Sequence, residues 1–275
     1  MLSFVKEVIS HFNDSNTFQK GASLAYYAVF SLLPIIMIVT SLLGLFFGQQ
    51  AVSGEIYAQF KGTLGEEAAM QIQDLIANQH SIHNSIITTI IGFATLGLSA
   101  SGMFTQIHNS FNDIWGGIEK PRNTILNYFS KRLISLATLI FLFSILLISA
   151  SINSFLLKHS HYLAASYQLY YLYEHIISFV LTGFAFAAMY KFLGNAIIKW
   201  KVVLLGGFVV TLLFMLGKIA IGIYIGHSHL SSTFGSASVL ALVLVWVYYT
   251  SQIIFFGASL IKILSQRFGY EIVSK

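Results

Sequence analysis

Lys218 is the side chain whose chemistry is hardest to reconcile with its surroundings, because it lies inside the apolar run Val202–Ile225. An ammonium group within a bilayer-spanning segment costs about 2.5–3.5 kcal/mol on insertion scales, and residues of this kind commonly have a function. A functional Lys218 would neutralise an anionic solute or a lipid headgroup. Alternatively, its side chain extends to the outer surface, or pairs with Glu174 for a purely structural purpose.

A second group of candidates forms a stripe of small and polar residues along the apolar segment at residues 86–107. Steps of three and four residues give Thr88, Gly92, Thr95, Ser99, Gly102, Gln106, Asn109 and Asp113. Such a stripe faces protein or water rather than lipid. It either permits close helix packing, in which each interhelical hydrogen bond contributes about 1 kcal/mol or less, or lines the path of a solute.

Two further apolar segments contribute polar residues. Tyr27, Ser31 and Pro34 share one face of the segment at residues 22–48, where Pro34 is expected to kink the helix. Gln252 lies in the segment at residues 237–260. The candidate solute-lining set is therefore Lys218, Tyr27, Ser31, Pro34, Ser99, Gln106, Asn109 and Gln252.

The sequence contains no recognisable catalytic or metal centre. Cysteine is absent, which excludes disulfides, zinc–thiolate sites and iron–sulfur clusters. Phosphate-binding loops and nucleophile elbows are missing, and the acidic residues are too scattered to hold the metal ions of a nuclease. Histidines collect near the predicted outer loops, where ordinary solvated loops are the alternative to a zinc or pH-sensing site. We therefore predict a protein that is not an enzyme and uses no cofactor or metal.

Membrane-spanning helices must position these side chains, because the chain has too few charges for a soluble protein. It has 15 Lys and Arg and 10 Asp and Glu among 275 residues, or 9%, against about 25% in ordinary soluble domains. A helix needs about 20 apolar residues to cross a bilayer. Six segments satisfy this, at residues 22–48, 86–107, 133–157, 175–193, 202–225 and 237–260. We predict one all-α, polytopic membrane domain over residues 1–275.

The distribution of cations predicts the orientation of this domain. Twelve of the 15 Lys and Arg residues lie in the N-terminal segment, the second and fourth loops and the C-terminal segment. Since cytoplasmic loops are enriched in Lys and Arg, both termini are predicted to be cytoplasmic. The net charge of +5 is then a consequence of topology, and nucleic acid is not a predicted partner.

Two amphipathic regions flank the first predicted span. In residues 1–20, apolar residues at helical spacing predict a short interfacial helix on the cytoplasmic side, and no cleavable signal peptide is predicted there. The longest loop, at residues 49–85, has the spacing of amphipathic helices and carries Glu55, Glu66, Glu67 and Asp74. It is predicted to lie on the periplasmic face.

Five stretches of the chain closely resemble the YihY/BrkB family of membrane proteins, some of which have carried the label ribonuclease BN. They are Lys20–Gly48, Phe111–Asn123 (FNDIWGGIEKPRN), Tyr190–Lys201 (YKFLGNAIIKWK), Leu216–Ser238 and Val243–Ser259. The resemblance implies a multi-pass protein of the bacterial inner membrane with six helices. It also places Lys218 at the lysine of the family pattern GK-x-x-I-G-x-Y. Where many members have glutamate, this chain has Ser259, so no role of that glutamate carries over.

Two functions remain open. In the first, the protein is a transporter or permease for a small neutral or anionic solute, and the candidate set lines or gates the path. No span contains a carboxylate, which disfavours coupling to protons or sodium through such a group. In the second, it is a non-transporting envelope protein that binds lipid or a partner protein. Membrane lipids are partners in both, a homo-oligomer is compatible with both, and ribonuclease activity is disfavoured.

Overall fold

A computed structural model describes residues 2–30, 105–116, 167–194, 196–227 and 238–274, together with residues 54, 57, 69, 70, 73, 74, 102 and 103. The elements in these parts are α1 (Leu2–Asp14), α2 (residues 17–30), α3 (residues 105–115), α4 (Tyr167–Leu193), β1 (Ala196–Ile197), α5 (Trp200–His227), α6 (Ser238–Arg267) and β2 (Val273–Ser274). The eight separately described residues are also helical.

Three of the described helices are long and apolar enough to cross a membrane. The segments that meet this criterion are His175–Leu193 in α4, Trp200–Ile221 in α5 and Leu240–Arg267 in α6. Between 33 and 39% of the most apolar part of each is buried within the protein. The structure thus supports a helical membrane protein with these three span candidates. The predicted spans at 22–48, 86–107 and 133–157 lie wholly or mostly outside the described residues, so six spans and the orientation stay predictions.

The chain forms two compact units. The first comprises Met1–Thr17, Ile107–Phe214 and Ile253–Lys275, and the second comprises Phe18–Gln106 and Met215–Gln252. The polar residues singled out from the sequence are divided between the two.

In the first unit, α4, α5 and α6 approach each other closely at glycines. A Cβ atom at Gly207 of α5 would lie 2.8 Å from both the Ala187 nitrogen and the Gly183 oxygen of α4. A Cβ atom at Gly206 would lie 2.5 Å from Cγ1 of Ile261 in α6. Small residues allow membrane helices to pack through their backbones in this way. The glycines therefore set the distance between these three helices.

Helix α6 continues to Arg267, seven residues beyond the predicted end of the sixth span at residue 260. The apolar face continues past this point, because Ile261 and Ile263 are both buried. The helix then ends in a Schellman motif, in which Tyr270 N–H donates to the Ser265 carbonyl at 2.8 Å and Gly269 N–H donates to the Gln266 carbonyl at 3.1 Å. Gly269 has a φ of 69°, which glycine adopts without strain.

Helix α1 packs on the end of α6 in the first unit. Val8 is 1% exposed and lies against Leu260 and Ile263, and the rings of Phe12 and Phe256 are 6.0 Å apart in an edge-on arrangement. These contacts anchor α1 to α6, while Val5 and Ile9 are each 46% exposed. An interfacial position for this helix stays a prediction.

A two-stranded antiparallel ribbon joins the loop after α4 to the C-terminal segment. Ala196 pairs with Ser274, and Ile197 pairs with Val273. The all-α prediction did not include these strands. Two residues per strand produce no periodic pattern in the sequence, and the two partners are far apart along the chain.

Candidate functional site

Two of the predicted solute-lining residues, Tyr27 and Gln252, occupy space that glycines leave open in the second unit. The half-buried ring of Tyr27 lies beside Gly102, where an added Cβ atom would be 2.5 Å from Cε1 of the ring. The side-chain nitrogen of Gln252 would lie 2.0 Å from a Cβ atom at Gly21. Helix α2 therefore contacts the segment that contains Gly102 through Tyr27, and contacts α6 through Gln252.

The polar stripe that contains Gly102 does not have a uniform environment. Gly102 packs against Tyr27, and Gln106, one helical turn later, is half-buried. Asn109, in the first unit, is exposed on α3. Ser99 lies outside the described residues, as do Ser31 and Pro34 on the first predicted span. At Gly102 the stripe accommodates the ring of Tyr27, a contact that both alternatives allow, so the role of the stripe stays a prediction.

Lys218 is exposed on α5. Its neighbours Leu216 and Ile219 are 56% and 62% exposed, so the ammonium group is on an outward, apolar surface of the described chain. Thr211, seven residues earlier on α5, is fully buried, and its hydroxyl donates to the Gly207 carbonyl at 2.8 Å.

A cluster in the first unit, formed by Phe111, Trp115, Tyr190 and Lys262, was not predicted from the sequence. The rings of Phe111 and Trp115 are 4.9 Å apart, and those of Phe111 and Tyr190 are 5.4 Å apart. Trp115 Nε1 donates to the Ala258 carbonyl at 3.0 Å, and the Tyr190 hydroxyl donates to the Ile254 carbonyl at 2.8 Å. Two aromatic residues from α3 and α4 are therefore hydrogen-bonded to successive turns of α6.

The fourth member of this cluster, Lys262, caps the end of α3. Its Nζ donates to the Trp115 carbonyl at 2.6 Å. Helix α3 stops there because Gly116 has a φ of 73° and its N–H donates to the Asp113 carbonyl at 3.1 Å. A cation at a helix C-terminus is favoured both by the exposed carbonyls and by the helix dipole. Lys262 thus donates a hydrogen bond from α6 to α3, whereas Trp115 donates one from α3 to α6.

Ser259, where the family resemblance implies glutamate in many members, lies completely within the protein. Its exposure is 0%, and its hydroxyl has no hydrogen-bond partner among the described residues. An ionised carboxylate in such a place would need a compensating partner. A neutral serine avoids this requirement, so the departure from the family residue agrees with the packing around it.

His11 of α1 lies near the cluster and is half-buried. Burial lowers the pKa of its imidazole, the positive charge of Lys262 lowers it further, and Asp14 has a smaller opposing effect. His11 Nδ1 is buried without a hydrogen-bond partner among the described residues. The neutral imidazole is therefore favoured in the folded protein.

This environment predicts a pH dependence of stability. Because the folded pKa of His11 is lower than that of the unfolded chain, which is about 6.5, the unfolded state binds the extra proton more readily. Stability is then fully present above that pH and decreases as the pH falls. Lowering the pH from about 7.5 to about 5.5 should reduce the Tm of the wild type more than that of His11→Gln. Parallel curves for the two proteins would contradict the assignment.

Metal binding gains no support from the residues that the structure describes. Among them, no three His, Asp or Glu side chains are grouped so that they could hold an ion. Most of the histidines near the predicted outer loops lie outside the described ranges. The sequence prediction of no metal therefore stays a prediction.

Comparison with known proteins identifies relatives over almost the whole chain. The family described as Virulence factor BrkB matches residues 8–275. Proteins described as UPF0761 membrane proteins are 24% identical over 97% of the chain in Teredinibacter turnerae, 25% over 94% in Psychrobacter and 25% over 98% in Pseudoalteromonas atlantica. The chain spans 61%, 47% and 88% of the lengths of these three relatives, respectively. No solved structure matches the chain.

Proposed function

The chain belongs to the BrkB family of bacterial membrane proteins, and from this premise we propose that it is a transporter or permease for a small neutral or anionic solute. The observation that carries the proposal is the contact between Tyr27 and Gly102. A polar aromatic residue from one helix closes over a glycine in the polar stripe of another. A ring at such a position obstructs the stripe while it is in place, and a rotation of the side chain exposes the stripe.

Other polar side chains of the second unit have a similar arrangement. Gln252 lies against Gly21, and the Tyr249 hydroxyl would be 1.9 Å from a Cβ atom at Gly217. Polar side chains within membrane helices face protein or a wet cavity, and in transporters they mark the substrate path. Tyr27, Gln252 and Gln106 would line or gate this path, and Lys218 would attract an anionic solute from the surface of α5.

A second candidate function is a non-transporting envelope protein that binds lipid. The exposure of Lys218 beside Leu216 and Ile219 favours this alternative, because an ammonium group on a lipid-facing surface can extend along the helix to a headgroup. Under this alternative, the polar contacts at Gly21 and Gly102 only hold helices together. The two functions differ in whether Tyr27 controls the passage of a solute.

Tyr27→Ala is therefore the informative variant for solute uptake. If the Tyr27 ring closes the path, its removal should increase the uptake of a permeant solute several-fold, and Tyr27→Phe should change it little. Tyr26→Ala is a matched control, because Tyr26 is 59% exposed and is the adjacent residue on the same helix. Stopped-flow light scattering of proteoliposomes would measure uptake of neutral polyols and small organic anions.

Lys218→Gln in the same assay should reduce the uptake of anions and leave that of neutral solutes unchanged.

This experiment separates gating from damage to the fold. Equal uptake by the Tyr27→Ala and Tyr26→Ala proteins would contradict a gating role for Tyr27. Any increase must also be specific to certain solutes, since a general leak of every solute and of a trapped dye would indicate a disrupted bundle.

A further inference from the structure

The ribbon formed by β1 and β2 presents an apolar surface with cations along its edge. Ile197 and Val273 are cross-strand partners, and they are 56% and 55% exposed. Directly opposed residues of an antiparallel pair project from the same face. This apolar pair is therefore uncovered on one side of a ribbon that is only two residues long. Short isolated ribbons are marginally stable in water, so a covering surface would stabilise it.

Two lysines on this surface are positioned by aromatic rings. Lys199 Nζ is 3.9 Å from the centroid of the Tyr270 ring, and Lys201 Nζ is 5.3 Å from the centroid of Phe268. The two rings are neighbours, with centroids 6.2 Å apart. Both lysines are exposed. We call Ile197, Lys199, Lys201, Phe268, Tyr270 and Val273 the ribbon patch.

The charges around the ribbon patch suit an anionic ligand. Among the described residues, neither Lys199 nor Lys201 forms an ion pair with a carboxylate. An ammonium group has three donors, so a contact with a ring face leaves donors for phosphate oxygens. The acidic residue in this region is Glu271, which is exposed. Arg267 adds a further cation nearby, although Glu7 pairs with it at 3.2 Å.

The position of the ribbon patch indicates that the ligand is a lipid. The patch lies where three span candidates end, at Leu193 of α4, at Trp200 of α5 and at Arg267 of α6. Trp200 is 48% exposed, and its ring is 6.0 Å from that of Phe192, which is 44% exposed. Exposed aromatic residues at the ends of membrane helices mark the headgroup region. The exposed apolar pair then faces acyl chains, and the lysines face headgroups.

We infer that the ribbon patch is a binding site for an anionic phospholipid, with Lys199 and Lys201 contacting the phosphate of the headgroup and Ile197 and Val273 contacting the acyl chains. The distribution of cations predicts that this end of the helices is cytoplasmic, where anionic lipids attract basic residues. The site is independent of solute transport, because it belongs entirely to the first unit and uses none of the predicted solute-lining residues.

The inference can be tested by quenching of tryptophan fluorescence with brominated lipids. The protein would be reconstituted in phosphatidylcholine vesicles that contain increasing amounts of brominated phosphatidylglycerol or brominated phosphatidylcholine. Quenching of Trp200, isolated as the difference from Trp200→Phe, should show a preference for the anionic lipid. That preference should fall about fivefold for each lysine removed in Lys199→Gln and Lys201→Gln. It should be retained in Lys199→Arg/Lys201→Arg, which keeps both positive charges.

Several outcomes would overturn the inference. An unchanged preference in Lys199→Gln/Lys201→Gln would show that these lysines do not select the lipid. If soluble glycerol phosphate abolished the preference for the anionic lipid, the lysines would be assigned to a free phosphate ligand instead. A change of oligomeric state in the double variant, measured by light scattering, would assign the patch to a second copy of the chain. The substituted side chains are exposed, so the variants are expected to fold, and an unchanged Tm would verify this.

Discussion

Trp115→Ala is expected to lower the free energy of unfolding by about 3–5 kcal/mol, the usual cost of deleting a large buried aromatic side chain. Trp115 is 2% exposed, and its ring fills the space over Gly194, where an added Cβ atom would be 2.0 Å from Cζ3. Its indole N–H donates to the Ala258 carbonyl. The substitution therefore leaves a cavity and removes a hydrogen bond between α3 and α6. Thermal unfolding in detergent, followed by circular dichroism, would measure the loss.

A second variant at Trp115 and a control at Trp200 test the origin of this effect. Trp115→Phe keeps most of the ring but loses the N–H donor, and the Ala258 carbonyl keeps its hydrogen bond within the helix. It should therefore cost less than the alanine variant, about 0.5–1.5 kcal/mol for the lost hydrogen bond. Trp200→Ala is the matched control, because Trp200 is 48% exposed. If Trp115→Ala destabilised the protein no more than Trp200→Ala, the cluster around Trp115 would not hold the first unit together.

Gly207→Ala is expected to destabilise the protein by about 3 kcal/mol, at the upper end of the usual cost of overpacking. The new Cβ atom would lie 2.8 Å from two backbone atoms of α4, the Ala187 nitrogen and the Gly183 oxygen. Backbone atoms within a helix cannot relieve a steric clash by rotation about a single bond, as a side chain does by changing its rotamer. The methyl group can be accommodated only if α4 and α5 separate, and separation weakens every contact along their interface.

Gly54→Ala provides a control with the same chemical change. Gly54 is helical and exposed, and an added Cβ atom would have no other atom within 4 Å. Since alanine favours helix over glycine by about 1 kcal/mol, this variant should be neutral or slightly more stable. Equal Tm values for the Gly207→Ala and Gly54→Ala proteins would contradict the close approach of α4 and α5.

The apolar runs of the sequence predicted the last three helices well, because the length of an apolar segment follows directly from the thickness of a bilayer. The run at residues 175–193 coincides with the span candidate of α4. Helix α6 continues beyond the predicted span at 237–260, and Lys262 in this extension donates to the Trp115 carbonyl.

The contacts of the candidate residues were less predictable than the helices. The polarity of Tyr27 and Gln252 marked them as residues that face protein, but no pattern in the sequence shows that they meet Gly102 and Gly21. Trp115 and Tyr190 were missed for a different reason. Their hydrogen-bond acceptors are backbone carbonyls, which every residue possesses, so the sequence contains no signal that identifies the pair.

The ribbon could not be predicted either, because its register depends on where α4 and α6 end. The pairing of Ile197 with Val273 follows from the loop after Leu193 and from the Schellman motif at Gly269. That the C-terminal segment returns to the loop after α4 is a property of the tertiary structure.

Transport of a small neutral or anionic solute is the central claim, and uptake by vesicles that contain the wild-type protein tests it most directly. Proteoliposomes and protein-free vesicles of the same lipid composition would be compared by stopped-flow light scattering over a panel of small polyols and organic anions. We expect at least one solute to enter the proteoliposomes several-fold faster, and its uptake to saturate with concentration. Uptake rates equal to those of protein-free vesicles for every solute on the panel would contradict the claim.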